Sequence, residues 1–272
     1  MQNLYKTARI FYGIGILCIG IQQFIYGDFR PMILQEWPAW IHASPIWAYI
    51  VGVIWLLSGA AIIVGKNVRT VSLLFGGFLF LCFVFFHLPY NLIFSPNLAK
   101  HVGLWVNPLK ELALSGGAFV MAGFFTNERG AWNNNSLIRF LENFIPLGRI
   151  FFSITMIIFG YSHFLYAEFV SALVPAWIGA QMFWTYFAAV ALICSGIAII
   201  LKFQIRLVSL LLGIMLFLWV ILLHIPRAIA DPYVDKGNEV TSVFEALAFS
   251  GIAFVISGLY KEKLPAIKTA LS

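Results

Sequence analysis

Two histidines, each with a proline two residues on, are the groups in this chain best suited to proton chemistry: His87-Leu88-Pro89 and His224-Ile225-Pro226. An imidazole changes charge near neutral pH, and a carboxylate beside it orients the ring. The proline leaves a backbone carbonyl free one turn earlier, which the imidazole can meet. Asp28 and Glu111 in the first half, and Glu168 and Glu245 in the second, are the carboxylates available for that pairing. The catalytic candidates are therefore His87, His224, Asp28, Glu168, Glu111 and Glu245. Together with Lys110, His163 and Arg227 they lie at ends of apolar stretches, where ionisable groups are default candidates for function. The competing reading is that they satisfy one another and the broken backbone at a bundle rim, because helix ends at an interface are solvated without any catalysis.

The elements that must position these groups are membrane-length helices. Of the 272 residues, 61% are hydrophobic and 10% charged, against roughly 25% charged in an ordinary soluble domain. The apolar residues fall into eight stretches, near 8–26, 45–65, 69–90, 107–125, 148–166, 182–201, 205–226 and 242–260. About twenty residues cross a hydrocarbon core as a helix. The expected class is all-α: a polytopic membrane protein of eight transmembrane helices. The net charge of +6 could point to nucleic acid, but its distribution accounts for it. With both termini cytoplasmic, 12 of the 17 Lys and Arg residues lie inside, among them Lys6, Arg9, Lys66, Arg69, Arg129, Arg149, Lys202, Arg206, Lys261, Lys263 and Lys268. That asymmetry is the positive-inside rule, and it puts the candidate residues on the outer side of a bacterial-type inner (plasma) membrane. The partner it implies is a lipid bilayer and not nucleic acid. Lys6 and Arg9 before an apolar run resemble a secretory signal, but no small-residue cleavage site follows, so the segment reads as a retained span.

Other chemistries lack their residues. Cys18, Cys82 and Cys194 stand singly in apolar stretches with no CxxC, so they read as buried small hydrophobes and not as an exchanging pair. There is no HExxH, haem-attachment motif or phosphate loop, and no metal site is expected. Tyr26, Trp37, Trp40, Trp47, Tyr49, Trp105, Tyr166, Trp177 and Trp184 suit an interfacial aromatic belt.

The chain also aligns with itself. A shift of 140 places Arg9 on Arg149, Gly20 on Gly160, Gln23 on His163 and Phe29 on Phe169. The shift then falls to 137, laying Pro38-Ala39-Trp40-Ile41 on Pro175-Ala176-Trp177-Ile178 and His87 on His224. Over residues 38–89 there are 24 identities in 52 positions, too many for apolar composition alone. The last stretch aligns at 135, Ser115-Gly116 on Ser250-Gly251. The expected organisation is a tandem duplication: residues 1–126, a cytoplasmic linker at 127–147 with a short helix near Leu137 to Ile145, and residues 148–272. An even number of spans per unit makes the repeats parallel, as two four-helix bundles.

The unit resembles the DoxX-like family of small four-helix membrane proteins. The resemblance rests on Arg9 and Arg149, on Gly20 to Asp28 and Gly160 to Glu168, on the Pro-Ala-Trp loop, on the second-helix Ser-Gly, and on the Leu112-Ala113-Leu114-Ser115-Gly116-Gly117-Ala118 run. It implies a four-helix bundle per repeat and a link to quinone-coupled redox complexes, since a family member is a subunit of thiosulfate:quinone oxidoreductase. On that basis the histidines and carboxylates form a proton-accepting pocket for a quinol head group, with Gln23, His163 and Arg227 as further binding residues. The expected function is a quinone-associated or accessory redox subunit, with no intrinsic cofactor and with other membrane or redox subunits as partners. Rival classes are a small-molecule or lipid carrier and a membrane scaffold or assembly protein without catalysis. Because Gln23 and His163 differ at one repeat position, that position cannot perform the same proton chemistry in both halves.

Overall fold

A computed structural model describes residues 2–35, 38–97, 100–126 and 135–259. Trp37, Arg129, Lys261, Lys263 and Lys268, and the linker from 127 to 134, lie outside the described residues. The long helices are α1 (Gln2–Tyr26), α3 (Pro45–Val64), α4 (Val68–Cys82), α5 (Val106–Phe124), α7 (Ile145–Leu165), α9 (Gln181–Leu201), α10 (Ile205–Trp219) and α12 (Asn238–Leu259). Short helices α2 (Ala39–His42), α6 (Ser136–Glu142), α8 (Ala167–Leu173) and α11 (Ile225–Ala230) lie between them, and no strand occurs among the described residues.

Among the described residues, seven helices are long and apolar enough to cross a membrane, which makes this a multi-pass membrane protein. The exception is α5, whose first turns carry Asn107, Lys110 and Glu111. It can be less apolar because other helices surround it: 14 of its 19 residues are buried.

The helices close into a ring. In order of contact it runs α1, α3, α4, α5, α7, α9, α10, α12 and back to α1, with α5 and α12 also touching across the middle. The separate bundles expected from the sequence are therefore interlocked. The last helix of each half packs on the first helix of the other, α12 against α1 and α5 against α7. Small residues make this possible. Without a hydrophobic drive between helices in lipid, close backbone approach supplies the attraction. Gly116 and Gly148 face each other across the α5·α7 crossing, so that a Cβ on Gly148 would lie 2.6 Å from the Gly116 carbonyl oxygen. Gly15, Ala248, Ala8 and Gly251 do the same between α1 and α12. The main apolar core that results holds Tyr12, Trp55 and Phe75 from the first half together with Phe152, Leu192 and Ile252 from the second, and a smaller cluster lies around Leu73 and Phe119.

Corresponding local features recur in both halves. Arg9 donates to the Ile63 carbonyl at the end of α3, and Arg149 to the Ile199 and Ile200 carbonyls at the end of α9 (2.7 and 2.9 Å). These arginines satisfy the orphan carbonyls of a neighbouring helix terminus. Ser115 and Ser250 donate to the Gly76 and Gly213 carbonyls at 2.8 and 2.9 Å. Both histidine-proline elements follow a π-helical turn, Phe83–His87 and Val220–His224, in which Leu88 N–H bonds Phe83 O and Ile225 N–H bonds Val220 O. A proline ring clashes with the carbonyl four residues back, and widening the turn before it lets the helix continue.

The linker helix α6 is capped by the Asn135 side chain, which accepts from Leu137 N–H at 2.8 Å. Ile138 and Leu141 pack against Leu73 and Phe119, and Arg69 ties α6 down by bonds to Glu142 (2.6 Å) and the Ala122 carbonyl (2.8 Å).

Candidate functional site

Most of the polar groups named from sequence lie at the helix ends opposite Arg9 and Arg149, where they separate into three places. The first is a buried pair. His87 and Glu111 are both fully buried, with His87 Nε2 lying 3.1 Å from Glu111 Oε2 and 3.1 Å from the Met32 carbonyl oxygen. The bond is aligned with the carbonyl. Glu111 Oε1, His87 Nδ1, the Gln23 amide and Asn91 Oδ1 have no hydrogen-bond partner among the described residues, although all four side chains are fully buried. Unpaired buried polar atoms are costly and therefore mark water or function. Above the pair, residues 29–34 fold inward as a plug in which Phe29, Arg30, Met32, Ile33 and Leu34 are buried. The sequence signal for the plug is the fall in repeat shift from 140 to 137, which gives the first half three extra residues here.

The second place is an ionic strap over that plug. Asp28 accepts from Lys236 Nζ at 2.6 Å and meets His42 Nδ1 at 3.2 Å, while His42 Nε2 donates to the Gln35 carbonyl. Arg30 lies 4.6 Å over the Tyr26 ring and donates to the Lys236 carbonyl. His42 thus joins Asp28 to the Gln35 carbonyl. Asp28 belongs to this strap and contacts neither His87 nor His224. Burial works against the Asp28 charge, but bonds from Lys236, Phe29 N–H and His42 outweigh it and hold the carboxyl below its ordinary value. A carboxylate with a lowered folded-state pKa contributes stability that is complete above the unfolded value of about 3.9 and is lost as pH falls through the folded one. Proteolysis or hydrogen exchange at residues 232–238 should therefore accelerate on acidification below that range, and Asp28→Asn should remove this pH dependence.

The third place is a cavity of ≈ 250 Å³ in the second half, walled by α7, α8, α9, α10 and α12. Its apolar lining includes Met156, Phe159, Trp184, Leu192, Trp219 and Phe249, and its polar groups are His163, His224, Thr185, Ser242, Lys110 and Glu245. A mostly apolar concavity with a few convergent polar groups is the usual form of a small-molecule site. Lys110 Nζ lies 2.7 Å from Glu245 Oε2, both side chains nearly buried, so α5 and α12 are joined by charge at the cavity edge. At the repeat shift of 135, Lys110 and Glu245 occupy the same position in the two halves, which brings them together across the ring. The neighbouring Glu111 points to His87 instead, so consecutive residues of α5 serve different sites. His163 Nδ1 donates to the Phe159 carbonyl at 2.7 Å; in a neutral ring this leaves Nε2 as the acceptor.

The remaining named residues do other things. Glu168 is exposed on α8, away from these groups. Arg227 makes a two-pronged pair with Glu239, with Nε to Oε2 at 2.8 Å and Nη2 to Oε1, and so ties α11 to the first turn of α12. Trp184, expected in the aromatic belt, lines the cavity, whereas Trp40 and Trp177 are about two-thirds exposed, as belt residues should be. Cys82 is buried, but Cys194 is exposed on the outer face of α9, contrary to its reading as a core hydrophobe. Gln22, which donates to Gly237 O and accepts from Thr241, and Glu239 had no visible signal because their partners lie more than 200 and 12 residues away.

No curated protein and no solved structure matches the chain. Residues 144–225, which run through α7, α8, α9 and α10, match the family model described as DoxX. The match covers most of the cavity wall, and with the apolar helices it describes a multi-pass membrane protein that is similar to the DoxX family over residues 144–225.

Proposed function

We propose that this is an eight-span, tandemly duplicated DoxX-type protein of a bacterial-type inner membrane, with both termini cytoplasmic, that receives a quinol-type head group in its second-half cavity. It serves there as a quinone-associated or accessory redox subunit without a cofactor of its own. The observation that carries this reading is the cavity itself, where His163 and His224 share an apolar space with the Lys110–Glu245 pair. An apolar wall suits a ring, and an imidazole acceptor suits a hydroxyl proton. The duplication is supported by the paired π-turns, arginine anchors and Ser-to-Gly bonds, and the spanning role of α5 by its place inside the ring.

Titrating a ubiquinol or menaquinol head-group analogue should show saturable binding. His163→Gln with His224→Gln should weaken that binding at least tenfold, and His87→Gln, at the separate buried pair, should leave it near the parent value. Unchanged binding in the double variant would sink the head-group assignment. Reporter fusions at residue 135 and at the C-terminus test the orientation independently, since an external signal from either reverses it.

A further inference from the structure

The cavity has an apolar neighbour. Between α9 and α10, on the outer surface of the ring, runs a groove of ≈ 880 Å³ lined by residues such as Ala191, Ala198, Leu211 and Leu222. Its only polar side chains apart from the Trp184 and Trp219 indoles are Cys194 and Ser195. The groove exists because α9 and α10 touch less extensively than the other neighbouring long helices of their half, and because Ala191, Ser195 and Ala198 are small. Trp184, Met215 and Trp219 line both the groove and the cavity, with the two indoles edge to face at 6.0 Å. Three side chains, the two indoles and Met215, thus stand between the polar-tipped cavity and the lipid-facing groove.

We propose that cavity and groove are two parts of one site for a long-chain amphiphile, which enters sideways from the bilayer between α9 and α10 and leaves its hydrocarbon tail in the groove. The division of chemistry argues for this occupant. Polar groups converge only at the cavity end, and a hydrocarbon chain gains close packing in the groove without needing any hydrogen bond. Entry from lipid requires no passage of the tail through water, and Trp184 and Trp219 are the side chains that must turn aside. The proposal extends the head-group assignment above, from which it takes the location of the polar end.

The experiment compares a tailless and a decyl-tailed form of the same quinone head group on the protein in nanodiscs, with the groove-filling variants Ala198→Trp and Ala191→Phe. The tailed probe should bind at least tenfold more tightly than the tailless one, and both variants should erase that advantage while leaving tailless binding unchanged. Two variants on different turns guard against one that fails to fold, which detergent gel filtration detects. Equal affinity of the two probes, or an advantage that survives both variants, overturns the groove while leaving the head-group site intact. Tail-dependent binding that the variants block, without measurable tailless binding, keeps the groove and removes the head-group assignment. No binding of either probe removes both. Disulfide-linked dimers forming through Cys194 in the membrane would make the groove a helix-docking face and also overturn the proposal.

Discussion

Lys110→Met should destabilise the protein by about 3–5 kcal/mol, because it strands the Glu245 carboxylate at the buried α5·α12 contact. The loss concerns the unpaired charge more than the vanished attraction. Replacing both members, Lys110→Met with Glu245→Met, should therefore recover most of the stability, since well-packed apolar residues often substitute for a buried ion pair without loss. The measurement is resistance to unfolding by sodium dodecyl sulfate, followed by circular dichroism for the parent, both single variants and the double variant. Additive losses in the double variant would show that the two groups do not depend on each other. Because the pair borders the cavity, the double variant also separates stability from binding. If Lys110 and Glu245 orient the head group, the refolded double variant should bind the tailless analogue more weakly despite its restored fold.

Gly148→Leu should be comparably damaging for a steric reason. Overpacking costs typically about 1–3 kcal/mol where side chains can shift, but the atoms facing Gly148 are the Gly116 carbonyl and the Val120 backbone, and neither has a rotamer to change. The expected result is a loss at or beyond the top of that range, read as a fall in melting temperature in detergent and faster proteolysis between the halves. Gly116→Leu, from the other side of the same crossing, should behave alike. Gly103→Ala, whose new Cβ would meet nothing nearer than the Tyr166 hydroxyl at 3.6 Å, should be close to neutral. A stable Gly148→Leu protein would mean that α5 and α7 do not cross at these glycines.

Both experiments probe contacts that join residues from different halves, and these were the least legible in the sequence. The self-alignment places His87 on His224 and Arg9 on Arg149, but an alignment relates equivalent positions and is silent on which positions touch. Lys110 and Glu245 illustrate the difference. They align with each other at the shift of 135, yet they meet only because α5 and α12 cross at the centre of the ring. The divergence of the two polar ends was equally hidden. Trp55, fully buried, aligns with Leu192, which lines the cavity, and the plug at 29–34 aligns with the region that forms helix α8. Three extra residues are visible in a sequence, but whether they fold inward or outward is decided by what they can cover. Here they cover His87, to which Met32 offers a carbonyl.

By itself the sequence determined the helical class, the approximate limits of the long helices, the short linker helix, and the confinement of most ionisable residues to the ends of those helices. These follow from local physics: hydrocarbon-length apolar runs must satisfy their backbone internally, and charges are confined to where those runs stop. Tertiary structure alone decided that the halves interlock, that α5 is sheltered, that Asp28 and Arg227 are committed to Lys236 and Glu239, and that His163 and His224 share one cavity while His87 sits apart. The physical reason is that helix association in lipid is governed by which small faces fit together, and fit depends on pairs of surfaces far apart in the chain that no local pattern records.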